Sequence, residues 1–236
     1  MDLKDKIAYI TGGSKGIGYG VAEVLLRAGM KVAISGRSLE TVTQAAKNLG
    51  TGNNVLAIAS DVTKLEDEKN AIQQIVTKWG ALDLVVANAG IGHYAPIDQI
   101  SEEHWHQMID TNLNGVFHTL KAAVEALKRS KGYYITVASL AGTNFFANGA
   151  GYNASKFGVV GFTQAAMLDL RPYDIKVSTI MPGSVASHFN EHIPSAEDAW
   201  KIQPEDIGQL VLDLLNMNPR TLPSKIEVRP TRPDKK

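Results

Sequence analysis

Short runs rich in β-branched and aliphatic residues alternate with longer segments of helical period along the whole chain. They fall at residues 7–11, 31–35, 55–59, 82–88, 133–138, 176–181 and 225–229. Every gap between them exceeds the dozen or so residues that a parallel crossover needs. A run such as Leu84-Val85-Val86-Ala87 is continuously apolar, as a strand covered on both faces must be. No hairpin signal competes. The pattern predicts an α/β fold, doubly wound, with a seven-stranded parallel sheet and helices on both faces.

Charge and cysteine content narrow the function. Lys plus Arg number 24 and Asp plus Glu 24, so no electrostatic footprint exists for a phosphate backbone or an anionic lipid surface. Neither nucleic acid nor membrane is expected as a partner. The absence of cysteine excludes thiolate catalysis, a disulfide framework and Cys-ligated zinc. Charges at Asp2, Lys4, Asp5 and Lys6 break what a signal peptide would need as an apolar core, and no apolar stretch approaches the roughly 20 residues of a membrane helix. A cytoplasmic protein is the expectation. Residues 1–230 read as one domain; residues 231–236, cationic and without apolar anchors, read as an extended tail or a frayed end.

Helix starts are marked locally. Thr63-Lys64-Leu65-Glu66 reads as a capping box, and Ser101 followed by Glu102 and Glu103 reads as a cap with an acidic first turn. Asn112 falls within the long helix expected to begin near Ser101, where an Asn reads as an ordinary solvated residue. After the first strand comes Thr11-Gly12-Gly13-Ser14-Lys15-Gly16-Ile17-Gly18, then the helical pattern Val21, Val24, Leu25, Leu26. A strand, a glycine-rich turn and a helix start form the arrangement in which backbone N–H groups and a helix dipole hold a pyrophosphate. The glycines fall as G-x-x-x-G-x-G and not G-x-G-x-x-G, so turn glycines needing positive φ are an equally open reading of the motif alone.

Five further features stand in register behind this turn: Asp61-Val62, Asn88-Ala89-Gly90, Ser139, Tyr152 with Lys156 four residues on, and Pro182-Gly183. Together with TGGSKGIG they resemble the classical short-chain dehydrogenase/reductase family over about residues 5–230. The resemblance implies a Rossmann-type fold and a nicotinamide dinucleotide cofactor. It implies a cofactor site of Gly12, Ser14, Lys15, Gly16, Ile17 and Gly18 in the turn, with Arg37 and Ser38 after the second strand. Asp61 and Val62 would lie at adenine, and Asn88 and Gly90 along its path. Tyr152 and Lys156 would lie at the ribose, and Pro182, Gly183, Val185 and Ser187 near the carboxamide. An NAD enzyme wants a carboxylate at the end of the second strand, and an NADP enzyme a cation. Here Gly36 and Arg37 occupy that place, with no acid before Glu40 and with Lys15 as a second cation. NADPH is the expected cofactor. Solvation accounts for either cation as well, and a helix cap accounts for Ser38.

Tyr152 and Lys156 at i and i+4 share one helix face. A tyrosine titrating near 10 must fall about three units to work at neutral pH, and a fixed ammonium one turn away is the kind of neighbour that favours phenolate. The same spacing is common in surface pairs. Ser139 ends the fifth strand, where open α/β sheets bind ligands. The resemblance implies that Tyr152 protonates a substrate carbonyl oxygen, Ser139 orients it, Lys156 tunes Tyr152 and holds the ribose, and Asn112 binds a water leading to Lys156. No metal is called for: His104 and His106, two apart on a helix, point away from each other. Segments mapping to the family's substrate walls offer His93, Tyr94, Phe145, Phe146, Phe189 and His192, an aromatic set suited to a neutral ketone or aldehyde; simple packing is the other reading of Phe145 and Phe146. A 3-oxoacyl-[acyl-carrier-protein] reductase is the alternative enzyme, with Lys128, Arg129 and Arg171 facing the carrier. An NADPH-sensing regulator is the alternative outside catalysis. A homodimer or homotetramer is usual in the family.

Overall fold

The computed structural model describes residues 3–50 and 52–232. All seven strands lie in one parallel sheet of order β3-β2-β1-β4-β5-β6-β7. They are β1 (Ile7–Thr11), β2 (Lys31–Gly36), β3 (Val55–Ala59), β4 (Leu84–Ala87), β5 (Tyr133–Val137), β6 (Lys176–Pro182) and β7 (Lys225–Val228). The helices are α1 (Gly16–Arg27), α2 (Leu39–Leu49), α3 (Leu65–Trp79), α4 (Glu102–Ile109), α5 (Gly115–Ser130), α6 (Ala150–Leu170) and α7 (Pro204–Asn216).

Period-two alternation assigns the sheet's two faces. On β1, Ala8 and Ile10 point to a core shared with Val21 and Leu25 of α1, Val42 of α2 and Val211 of α7. Ile7 and Tyr9 point to the other core, with Ile72 of α3, Leu127 of α5 and Met167 of α6. Strand order reverses between β1 and β4, each paired with the other and with an outward neighbour. The reversal opens a crevice at the carboxyl ends of the strands.

The structure shifts several boundaries. Strand β4 covers Leu84–Ala87 and not residues 82–88. At its start the Asp83 carboxylate takes Lys6 Nζ and the Ile7 N–H, and at its end Asn88 turns back to the glycine turn. β5 and β7 each end one residue early, and β2 and β6 each run one residue further. The expected capping box at Thr63 does not form. Lys64 occupies the N-cap of α3 without a side-chain bond, because the Thr63 N–H and hydroxyl both donate to Asp61 Oδ1 at 3.1 and 2.9 Å. An aspartate two residues back thus outcompetes the helix for that threonine. Ser101 does cap α4, accepting the His104 N–H at 3.1 Å. The long helix expected beyond it runs on from α4 into α5 through a π turn at Asp110–Asn114, whose flanking residues keep helical dihedrals. Residues 233–236 of the expected tail lie outside the described residues.

Candidate active site

The glycine turn closes through contacts that admit no larger residue. Gly12 and Gly16 sit at φ +65° and +56°, the left-handed region that glycine occupies without strain. A Cβ on Gly12 would stand 3.0 Å from Ala89 Cα, and one on Gly18 2.6 Å from both Asn88 Nδ2 and the Gly12 oxygen. Asn88 fastens this turn to the next strand: its Nδ2 donates to the Thr11 and Gly12 carbonyls at 2.9 and 3.2 Å, while its N–H and that of Ala89 donate to Thr11 Oγ1. Helix α1 then begins at Gly16 with no side-chain cap, leaving its first N–H groups to the crevice. This cradle of backbone donors fits a pyrophosphate.

Lys15 in the glycine turn and Arg37 just past β2 border the same crevice, and among the described residues neither side chain has an ion pair or hydrogen bond. Ser38 does not join them. It caps α2, accepting the Thr41 N–H at 3.3 Å, and lies outside the cleft wall. Gly18 is also outside it; its lack of a side chain serves the packing of α1 against the β1 turn and Asn88. The cleft, about 1870 Å³, takes in the other expected cofactor residues: Gly12, Ser14, Lys15, Gly16, Ile17, Arg37, Asp61, Val62, Asn88, Gly90, Pro182, Gly183, Val185 and Ser187. Ordinary small-molecule pockets span roughly 300–1,000 Å³. This one has room for a dinucleotide and a second molecule.

Tyr152 and Lys156 project together from the first turns of α6, both nearly buried. Lys156 Nζ donates to the Val137 carbonyl at 3.1 Å and lies 5.7 Å from the centroid of the Tyr152 ring. Burial lowers the Lys156 ammonium to about 8. Burial also pushes the Tyr152 phenol well above its usual range, Tyr94 adds to the rise, and only Ser139 pulls it down. The expected lowering of Tyr152 by Lys156 is therefore not a property of the protein alone: removing a phenolate from water costs more than the neighbouring groups return. The protein holds Tyr152 as a neutral proton donor. Ser139 lies just past the end of β5 and accepts the Ala141 N–H at 3.1 Å, so its own proton remains to be donated.

Asn112 is fully buried in the π turn, contrary to a solvated helix residue. Its Nδ2 donates to the Ile91 carbonyl and Ser155 Oγ at 2.9 and 3.0 Å, and its Oδ1 accepts the Ile91 N–H at 2.8 Å. One lone pair on Oδ1 is left. A Cβ on Gly90 would stand 3.3 Å from that oxygen and 3.5 Å from Lys156 Nζ, so the two groups converge over Gly90.

His93, Tyr94, Phe145, Phe146, Phe189 and His192 all line the cleft. Tyr94 meets Tyr152 edge-on with centroids 5.5 Å apart and Phe146 at 5.7 Å, and Phe189 lies 5.7 Å from Tyr152. Phe145 is 86% exposed beside the cleft, which removes the packing reading for it; Phe146 is half exposed. His93 stacks flat on His104 at 4.0 Å, with Gln107 Oε1 3.1 Å from His93 Nε2. Nothing in the local sequence points to His104 or Gln107 here, because their partner reaches them across a loop. Also unforeseen is the clasp on residues 192–201, where the buried Asp198 carboxylate meets His192 at 2.6 Å, Lys201 at 2.5 Å and the Ser195 N–H at 3.0 Å. The cations expected to face a carrier protein lie elsewhere. Lys128, Arg129 and Arg171 sit at the carboxyl ends of α5 and α6, beside the strand starts and away from the cleft, and Lys128 is paired with Glu125.

Among the described residues no helix is long and apolar enough to cross a membrane. The family model for short chain dehydrogenases matches residues 6–198. A trans-4-hydroxycyclohexanecarboxylate dehydrogenase of Sinomonas cyclohexanicum is 35% identical over 90% of this chain and 86% of its own. An alcohol dehydrogenase from the archaeon Thermococcus sibiricus, solved with 5-hydroxy-NADP, superposes with a TM-score of 0.90 at 29% identity, covering 98% of this chain and 100% of that one. A 3-ketoacyl-(acyl-carrier-protein) reductase from Brucella melitensis, solved with NADH, gives 0.89 at 26% identity over 98% and 99%. Neighbours thus bind both forms of the cofactor. A parallel sheet that reverses at β1 and β4, a glycine cradle at that reversal, and a Tyr152–Lys156 pair on the helix facing it agree with these matches: the chain belongs to the short-chain dehydrogenase family of oxidoreductases.

Proposed function

We propose that the protein is an NADPH-dependent carbonyl reductase acting on neutral ketones or aldehydes. The observation that carries the cofactor choice is the unpaired state of Lys15 in the glycine turn and of Arg37 at the end of β2, where no carboxylate offers to bind a ribose hydroxyl. Two charge-assisted contacts to a phosphate dianion outweigh the hydroxyl contact that NADH would bring. NADPH, when bound, supplies the hydride.

The chain's own residues do the rest. Tyr152, kept protonated by burial, gives its proton to the carbonyl oxygen, and the Ser139 hydroxyl donates to the same oxygen as charge develops. Lys156, converging with Asn112 over Gly90, provides positive charge beside the phenolate that forms and a route for its reprotonation. The aromatic walls, with no unpaired cation other than Lys156 among the described residues at the reacting end, favour uncharged substrates. The position of Lys128, Arg129 and Arg171 weighs against carrier-protein docking at those residues. Retention of Ser139, Tyr152, Lys156 and Asn112 weighs against a sensor. Exposed Phe117, Phe157 and Leu168 on α5 and α6 support self-association through those helices.

The test is loss of NADPH absorbance with aryl ketones, diketones, aldehydes, cyclic ketones and 3-oxoacyl thioesters, beside NADH. Preference for NADPH that collapses in Arg37→Ala, with KM for NADPH up about 10-fold or more and little change for NADH, is the expected result. Equal use of both by the wild type overturns the cofactor assignment. Cofactor binding without turnover of any carbonyl overturns the reductase reading.

A further inference from the structure

We propose that Tyr94 is a second proton-donating substrate residue that binds an oxygen next to the reacting carbonyl, so that the preferred substrates are vicinal dicarbonyls and not plain ketones. This rests on the reductase reading of the site. Tyr94 stands beside Tyr152 with the ring planes at 76°, so that both phenols serve one end of the cleft. Its ring is fixed from the other side by the edge of Phe146.

The hydroxyl is positioned by backbone. A Cβ on Gly92 would come within 3.0 Å of Tyr94 Oη and 2.9 Å of Phe189 Cε1, so both side chains close over a glycine that leaves them room. Phe189 in turn lies against Tyr152. Tyr94 is 41% exposed, so its hydroxyl borders these rings at the open cleft, within electrostatic reach of the Tyr152 phenol, whose ionisation it opposes.

Two other polar tips near it on this wall are engaged, His93 with Gln107 and Asn144 with Thr143. Tyr94 Oη has no hydrogen-bond partner among the described residues. Solvent satisfies it in the open cleft, and a substrate that displaces solvent must offer an acceptor in its place, which an oxygen close to the reacting carbonyl does. Tyr94 is itself raised by burial and stays protonated at neutral pH, leaving it a donor. A plain ketone would desolvate the hydroxyl and offer nothing in return, and sites built to bond a substrate oxygen discriminate against analogues that lack it.

Benzil and deoxybenzoin share both rings and one carbonyl and differ in the second oxygen. The experiment compares kcat/KM for the two in wild type and Tyr94→Phe, each across a pH profile, with fold and NADPH affinity checked by circular dichroism and fluorescence titration. The expected result is a loss for benzil at least fivefold larger than that for deoxybenzoin. An equal loss on both ketones, with or without a common shift of the pH profile, would mean that Tyr94 acts through Tyr152 or through packing, and overturns the inference. So does a wild type that reduces other ketones but not benzil. Failure to oxidise NADPH with any carbonyl sinks the reductase reading instead.

Discussion

Lys156→Met exchanges a buried ammonium for an unbranched apolar chain of similar length, and the structure sets both the size of the stability change and its pH signature. The folded protein holds Lys156 at about 8, against 10.5 ordinarily, through desolvation. Keeping it charged therefore costs the fold about 3 kcal/mol. Met loses the charged hydrogen bond to the Val137 carbonyl, about 1.5–2 kcal/mol. A net gain of about 1–2 kcal/mol remains near pH 7, which raises Tm by about 2–8 °C in a chain of this length. Below pH 8 folded and unfolded wild type both carry the proton, so the penalty is present in full. Between about 8 and 10.5 the folded state releases its proton while the unfolded state keeps it, and wild-type stability climbs with pH relative to the variant. Urea unfolding of both proteins at matched protein concentration, from pH 7 to 10.5, measures that difference, and titrations elsewhere cancel in the comparison. A gap that stays flat across this window, or a variant less stable near pH 7, refutes the desolvation argument. The variant should also be inactive, which would mark Lys156 as a group kept for chemistry at the expense of stability.

Asn112→Ala takes the Asn112 partner from the Ile91 N–H and carbonyl and the donor from Ser155 Oγ, which keeps its own bond to the Tyr152 carbonyl, and should lower stability by about 2–4 kcal/mol with a fall in urea midpoint; a change under about 0.5 kcal/mol would show that the π turn needs no such clasp. Glu68 is completely buried, with Oε1 taking Tyr9 and Ser60 hydroxyls and Oε2 unpartnered. Burial raises its pKa above the ordinary 4.5, so the unfolded chain ionises first and wild-type stability is lost as pH rises above that value. Glu68→Gln should therefore be more stable than wild type at pH 8 in thermal melts, with the advantage shrinking toward pH 4.5; an advantage independent of pH would contradict a raised carboxyl.

Period and spacing make much of this molecule legible in its sequence. The inner strands are announced by runs that are largely apolar on both faces, whereas the edge strand β7 alternates, so a chain segment carries most of the signal and errors are confined to one or two residues at the ends. Turn glycines are legible for a related reason: Gly12 and Gly16 adopt a backbone conformation that the local chain itself demands. Tyr152 and Lys156 are four apart on one helix, so their juxtaposition is also local.

Where competing partners come from elsewhere, local reading fails. Thr63 reads as a cap, yet the carboxylate of Asp61 takes it, and Asn112 reads as solvated, yet α6 and the Ile91 loop bury it. His104 joins the cleft only because His93 arrives across a loop to stack on it. The proton affinities are least accessible of all. Spacing puts an ammonium beside a phenol and suggests that the phenol is acidified, whereas the folded chain buries both and drives them toward their neutral forms. Sequence alone determined which residues share a face, because helix and strand periods are properties of the local backbone. Only the tertiary structure decided how far each is removed from water, because desolvation is set by every element packed around a group at once.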